Sequence, residues 1–180
     1  MNPCYVISGC SGGGKSTLLA ELKRRGYSVM EEPGRRVVTA ELKNGGAALP
    51  WIDMRAFLSR AIDLALNDLR SAKAASSPVF FDRGLVDALS ALAATTGEMP
   101  DETLMQEAHQ YHRQVFMLPP WPEIYAQDNE RRHDLSQALS EYERLLKAYP
   151  AYGYDIQLVP MLTVSQRADF VLSQLKTLIN

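Results

Sequence analysis

The stretch "GCSGGGKST", Gly9 to Thr17, constrains this chain more than any other. It follows the apolar run Tyr5-Val6-Ile7 and holds three consecutive glycines and a lysine. Glycine loses more backbone entropy on folding than any other residue, so such a cluster needs a purpose that side chains would obstruct. Gly9, Gly14, Lys15 and Ser16 satisfy G-x-x-x-x-G-K-[ST] in full. Chance alone gives that match in fewer than about 1% of chains this long. Glycines let backbone N–H groups approach phosphate oxygens, and the helix that follows adds its unpaired N–H groups and dipole. The motif places Lys15 at the β- and γ-phosphates and the Ser16 hydroxyl on Mg²⁺. Gly9, Cys10, Ser11, Gly12, Gly13, Gly14, Lys15, Ser16 and Thr17 are therefore the expected nucleotide-binding residues.

The motif needs a strand before it and a helix after it, and the rest of the chain repeats that alternation. Strands are expected at Cys4–Ser8, Ser28–Glu32, Pro78–Asp82, Gln114–Leu118 and Asp155–Val159, several of them apolar at consecutive positions. Helical patterns run over Lys15–Arg25, Arg35–Leu42, Met54–Lys73, Leu85–Ala94, Glu102–His112 and Leu135–Tyr149, with Pro150 as the expected stop. A last helix starts at the capping box Thr163 to Gln166. Alternating strands and helices predict an α/β fold with a parallel sheet covered on both faces. With 180 residues and no linker or repeat, the chain reads as one domain. Two irregular stretches, Asn44–Pro50 and Pro119–His133, are long enough to suggest functional loops, the second a lid around residues 119–134.

Composition narrows the partners. A formal charge of −2 gives no electrostatic footprint for nucleic acid or an anionic membrane surface. No run of apolar residues is long enough to span a bilayer, and the first residues carry no basic, apolar leader pattern. Cys4 and Cys10 bracket one strand and its loop, too far apart for a disulfide along extended chain. A reduced, cytoplasmic protein is expected. Cys10 reads as a small residue tolerated in the loop, and His109 and His112 as helix surface, not metal ligands.

Three further segments bear on what is done with the nucleotide. The run "VFFDRG" ends in Asp82 and Arg83, where a carboxylate at a strand end can hold Mg²⁺ and an arginine can face the phosphates. "EEPGRR" puts Glu31 or Glu32 where an acceptor hydroxyl would be oriented or deprotonated, and Arg35 and Arg36 where they could bind an anionic acceptor. "QDNERRH" puts Arg131 and Arg132 in the long irregular segment, where paired arginines could cover the phosphates and neutralise transferred charge. Trp51 and Phe57, in the stretch 44–57, are candidate walls of an acceptor pocket or core aromatics. A guanine-reading Asn-Lys-x-Asp motif is missing, which favours ATP over GTP.

The phosphate loop, "EEPGRR", "FFDRG" and the arginine-bearing loop, in this order, resemble the small P-loop kinase-like ATPases. This AAA-type group includes the nicotinamide riboside kinase domain of a bifunctional NAD-biosynthesis regulator. Similarity to nucleoside and thymidylate kinases is looser, resting on a Glu-Pro after the second strand and an Asp-Arg after the third. The resemblance implies a five-stranded parallel sheet in the order 2-3-1-4-5, and ATP with Mg²⁺ as cofactors. By match it gives Lys15, Ser16, Asp82 and Arg83 the phosphate and Mg²⁺ roles, and Arg131 and Arg132 the lid role. Two activities fit. One is a kinase that moves the γ-phosphate to a small acceptor such as a nucleoside or nucleotide; the other is a regulatory ATPase acting on a protein partner.

Overall fold

The computed structural model describes residues 3–121 and 135–177. Five strands form one all-parallel sheet in the spatial order β2-β3-β1-β4-β5. They are β1 (Cys4–Gly9), β2 (Ser28–Met30), β3 (Val79–Asp82), β4 (Gln114–Leu118) and β5 (Asp155–Leu158). The helices are α1 (Lys15–Arg24), α2 (Pro33–Asn44), α3 (Met54–Ala72), α4 (Leu85–Thr96), α5 (Glu102–Ala108), α6 (Leu135–Ala151) and α7 (Val164–Thr177). This is the expected α/β architecture and strand order.

The central strand explains its own sequence. All six residues of β1 are buried, because helices cover both faces of the sheet. Strand alternation sends Cys4 and Val6 to one face, with Leu69 of α3, Leu85 and Leu89 of α4, and Leu145 and Tyr149 of α6. Tyr5 and Ile7 go to the other, with Leu18 and Leu22 of α1 and Ala168 and Val171 of α7. Each fully buried side chain of this size contributes about 1.5–3 kcal/mol. The two faces thus hold α1 and α7 on one side and α3, α4 and α6 on the other.

β1 is flanked by β3 and β4, with Ile7 opposite Asp82 and Gly9 opposite Leu118. The strand order reverses at β1, and in a parallel sheet such a switch point opens a crevice at the carboxyl ends of the strands. The residues that follow β1, β2, β3 and β4 therefore meet along one edge.

Several boundaries differ from the sequence reading. β2 stops at Met30, which leaves Glu31 and Glu32 in the turn before α2, with Glu32 as the helix cap residue. Pro150 lies inside α6 and does not end it. A proline in the last turn forfeits one N–H bond only, and the chain reverses just beyond, at Gly153 with φ 75°. α5 ends at Ala108, so His112 is not on a helix. Its ring stacks on Tyr5, with centroids 4.2 Å apart, and its Nδ1 accepts from the Gln114 amide. Burial lowers the His112 pKa. On α6 the buried stripe runs through Ala138, Leu145 and Tyr149, and Leu139 is exposed. The loop after α2 is held by Glu41, a buried carboxylate that accepts from the Ala48 amide and pairs with Arg60. Cys4 and Cys10 are both buried, and neither is in a disulfide.

Candidate active site

The phosphate loop leaves β1 at Gly9, whose φ is 131°. A Cβ there would lie 2.4 Å from the Leu118 carbonyl oxygen of β4, so only glycine fits so close to the neighbouring strand. At the other end Gly14 caps α1 in the left-handed conformation, with φ 76°. Among the described residues, none of the amides of residues 11–17 donates to a backbone acceptor. A run of N–H groups free at a helix start is an anion cradle.

Lys15 is buried at the loop, and its Nζ donates to the carbonyls of Gly9 at 3.1 Å and Cys10 at 3.3 Å. Burial lowers its pKa, and Arg83 pushes the same way against the pull of Asp82, Glu32 and Glu141. Ser16 and Thr17 are exposed on the first turn of α1, and the Thr17 hydroxyl donates to the Gly14 carbonyl. Cys10 is fully buried, and burial raises its thiol pKa, which argues against thiolate chemistry.

Asp82 ends β3 directly beside β1. Its carboxylate is buried, and Oδ1 has no hydrogen-bond partner among the described residues. Burial raises its pKa; Lys15 opposes that shift and Glu32 adds to it. An orphaned carboxylate oxygen near Lys15 of the phosphate loop suits Mg²⁺, a hard cation that takes one or two protein oxygens and completes its shell with phosphate and water.

Arg83 is the only non-glycine residue with positive φ among the described residues, at 68°. Such a conformation costs on the order of 1 kcal/mol and persists only where the surroundings over-determine it. They do so here. The Arg83 amide donates to the Ile7 carbonyl at 3.1 Å. Its guanidinium lies among three carboxylates: Glu32 at 3.1 Å from Nε, and Glu141 and Asp87 at 2.5 Å and 3.7 Å from Nη1. The Glu32 contact is an ion pair without an aligned hydrogen bond, since among the described residues Nε has no partner that meets hydrogen-bond geometry. Although burial opposes it, attraction to Glu32, Glu141 and Asp87 raises the Arg83 pKa. Burial likewise opposes the lowering of Glu141, which its contact with Arg83 achieves.

The network extends behind Arg83. Asp87 is buried and accepts from Ser8 Oγ at 2.6 Å, the Gly84 amide at 2.8 Å and Tyr149 Oη at 2.5 Å. Arg144 of α6 donates to Ser90 and to the Asp87 carbonyl. The segments after β2 and β3, with helices α4 and α6, are thus fixed to one guanidinium.

Of the residues expected from the sequence, the structure brings together Lys15, Glu32, Asp82 and Arg83. Glu31 is exposed. Arg35 is 3.9 Å from Glu32 and mostly solvated. Arg36 faces α3, paired with Asp68 at 2.5 Å, so it does not line this site. Trp51 is 65% exposed and belongs to no core. Phe57 does reach the site, because a Cβ on Gly34 would sit 3.1 Å from its ring and 3.8 Å from Glu32 Oε1. Arg131 and Arg132 lie outside the described residues.

Sequence reasoning missed Glu141, Asp87 and Arg167. Arg167, on the first turn of α7, is buried and donates to the carbonyls of Gly13 and Gly14, both at 3.3 Å. Its spacing to Val171 and Leu175 puts it on the apolar stripe of its helix, a signal the sequence carries openly. Glu141 shares the inner stripe of α6 with Ala138 and Leu145 in the same way.

With this geometry in place, comparison with known proteins is decisive at the level of family. The profile of an AAA domain family, AAA_28, matches residues 4–167. The chain belongs to that family. No curated protein sequence matches it. Among solved structures, shikimate kinase from Acinetobacter baumannii in complex with shikimate aligns with a TM-score of 0.59 and 18% identity over 98% of this chain and 94% of its own. Deoxyadenosine kinase from M. mycoides with bound dATP gives 0.58 and 19% over 96% and 98%. The same enzyme with the products dCMP and dCDP gives 0.57 and 18% over 97% and 99%. These likenesses establish a P-loop kinase-like fold for this AAA-domain protein. No helix among its described residues is long and apolar enough to cross a membrane.

Proposed function

We propose that this AAA-domain protein is an ATP-dependent phosphotransferase that moves the γ-phosphate of ATP to a hydroxyl of a small-molecule acceptor. The observation that carries the reading is Glu32, held 3.1 Å from Arg83 on the same sheet edge as the phosphate loop and Asp82. A switch ATPase needs a cradle for nucleotide; it does not need a second carboxylate held beside the cradle by an arginine. The similar solved structures, a deoxyadenosine kinase and a shikimate kinase, support the same class.

In this reading the amides of residues 11–17 and the Lys15 ammonium hold the phosphates. Mg²⁺, held by Ser16 and Asp82, would neutralise charge on the phosphate oxygens. Glu32 accepts the proton of the acceptor hydroxyl as its oxygen bonds to the γ-phosphorus. The bond from that phosphorus to the β–γ bridging oxygen breaks, and ADP leaves with the electron pair. Phe57 provides an apolar wall next to Glu32, and Arg83 holds the Glu32 carboxylate in place. Positioning and charge neutralisation together supply the rate.

A panel of nucleosides, nucleotides and other hydroxylated metabolites incubated with MgATP tests the proposal. Transfer to one of them is expected. Slow hydrolysis with no transfer, combined with nucleotide-dependent binding of a protein, would instead establish the regulatory ATPase.

A further inference from the structure

Arg167 is only 3% exposed, and no carboxylate of the described residues lies within ion-pair distance of it. Its Nε has no hydrogen-bond partner among the described residues. What the guanidinium does have is the back of the phosphate loop. Nη1 donates to the carbonyls of Gly13 and Gly14, and Nη2 to Thr17 Oγ1 at 3.4 Å. Trp121, just after β4, covers the other side, with the guanidinium carbon 5.5 Å from the ring centroid. Burial lowers the Arg167 pKa. A buried cation with neutral acceptors alone is expensive unless an anion completes it.

The peptide bond supplies the connection. All described peptides are trans, so the N–H of each peptide points opposite its C=O. The Gly13 carbonyl shares its peptide with the Gly14 amide, and the Gly14 carbonyl with the Lys15 amide. A guanidinium on those two oxygens fixes the two N–H groups so that they point away from it, into the cradle, and polarises them toward an anion. We propose that Arg167 is a positioning residue of the phosphate loop, acting from behind to aim and polarise the Gly14 and Lys15 amides at the phosphates of the bound nucleotide. The inference rests on the nucleotide reading above. It assigns to α7 a share in phosphate binding without contact.

The test is the affinity of wild type and Arg167→Met for ATP, inorganic triphosphate and adenosine, by calorimetry. Arg167→Met keeps the length and apolar packing of the stem and removes the charge. Loss of a polarised, charge-assisted contact predicts about tenfold weaker ATP and triphosphate binding with adenosine unchanged. Unchanged triphosphate affinity, or an equal loss for adenosine, would overturn the proposal, because a packing defect has no reason to discriminate by phosphate. If wild type binds neither ATP nor triphosphate, the nucleotide reading itself fails, and the inference falls with it. Should Arg167→Met not fold by circular dichroism, Arg167→Lys carries the test. It reaches one carbonyl in place of two, so about threefold weaker triphosphate binding is expected, and wild-type affinity would refute the bridge.

Discussion

The phosphate loop and the Arg83 cluster sit on one sheet edge and are built on opposite principles. The loop keeps its donors open: among the described residues the amides of 11–17 have no backbone acceptor, and the buried cations beside it, Lys15 and Arg167, rest on its carbonyls. The Arg83 cluster is closed, with one guanidinium flanked by Glu32, Glu141 and Asp87, and Asp87 itself satisfied by three donors. An open site binds whatever anion arrives. A closed one holds a single carboxylate, Glu32, in a fixed place. Binding and chemistry are thereby assigned to different neighbours, and substitution should separate them.

The largest effect on nucleotide binding is expected on the open side. Lys15→Ala removes the ammonium proposed to hold the phosphates and should weaken ATP binding at least about 100-fold in a direct titration. Glu32→Gln leaves the loop intact. It should lower phosphoryl transfer by roughly 10²–10⁴ while ATP affinity stays at the wild-type value, and a parallel loss of both would merge the two regions.

On the closed side the readout is stability. Arg83→Met strands three carboxylates around one apolar side chain and should cost about 3–5 kcal/mol, seen as a lower urea midpoint at unchanged slope. Glu141→Gln tests the same cluster more gently. The folded pKa of Glu141 lies below its ordinary value, so its ionisation stabilises the fold above the unfolded value near about 4.3. That contribution disappears as pH falls through the folded pKa. The variant should therefore lose less stability on acidification than wild type does, with an acid limb that is visibly flatter.

The two regions were also unequally legible. The loop is local, nine consecutive residues whose spacing alone dictates a strand, a turn and a helix start, and the alternation of apolar runs gave the sheet order through resemblance. Glu32, Asp82 and Arg83 were legible as strand-end residues. The Arg83 cluster as a cluster was not, because Glu32, Asp87 and Glu141 come from three separate helix starts and faces that only tertiary packing unites. Arg36 shows the converse: beside Arg35 in sequence, it points a helix face away to Asp68. Pro150 misled for a local reason, since a proline in a final helical turn forfeits too little to stop it. Arg167 and Glu141 stood on apolar stripes, and a charged residue at a buried helical position is the pattern that deserved reading as a site.

The central claim is that Glu32 acts on an acceptor hydroxyl beside bound ATP. Its most direct measurement is transfer of labelled γ-phosphate from MgATP to a metabolite panel by wild type and Glu32→Gln, with ATP affinity measured on both. The account predicts a phosphorylated small molecule from wild type, its near loss in the variant, and equal ATP affinities. Label appearing only as inorganic phosphate, at the same rate in both proteins, would contradict it.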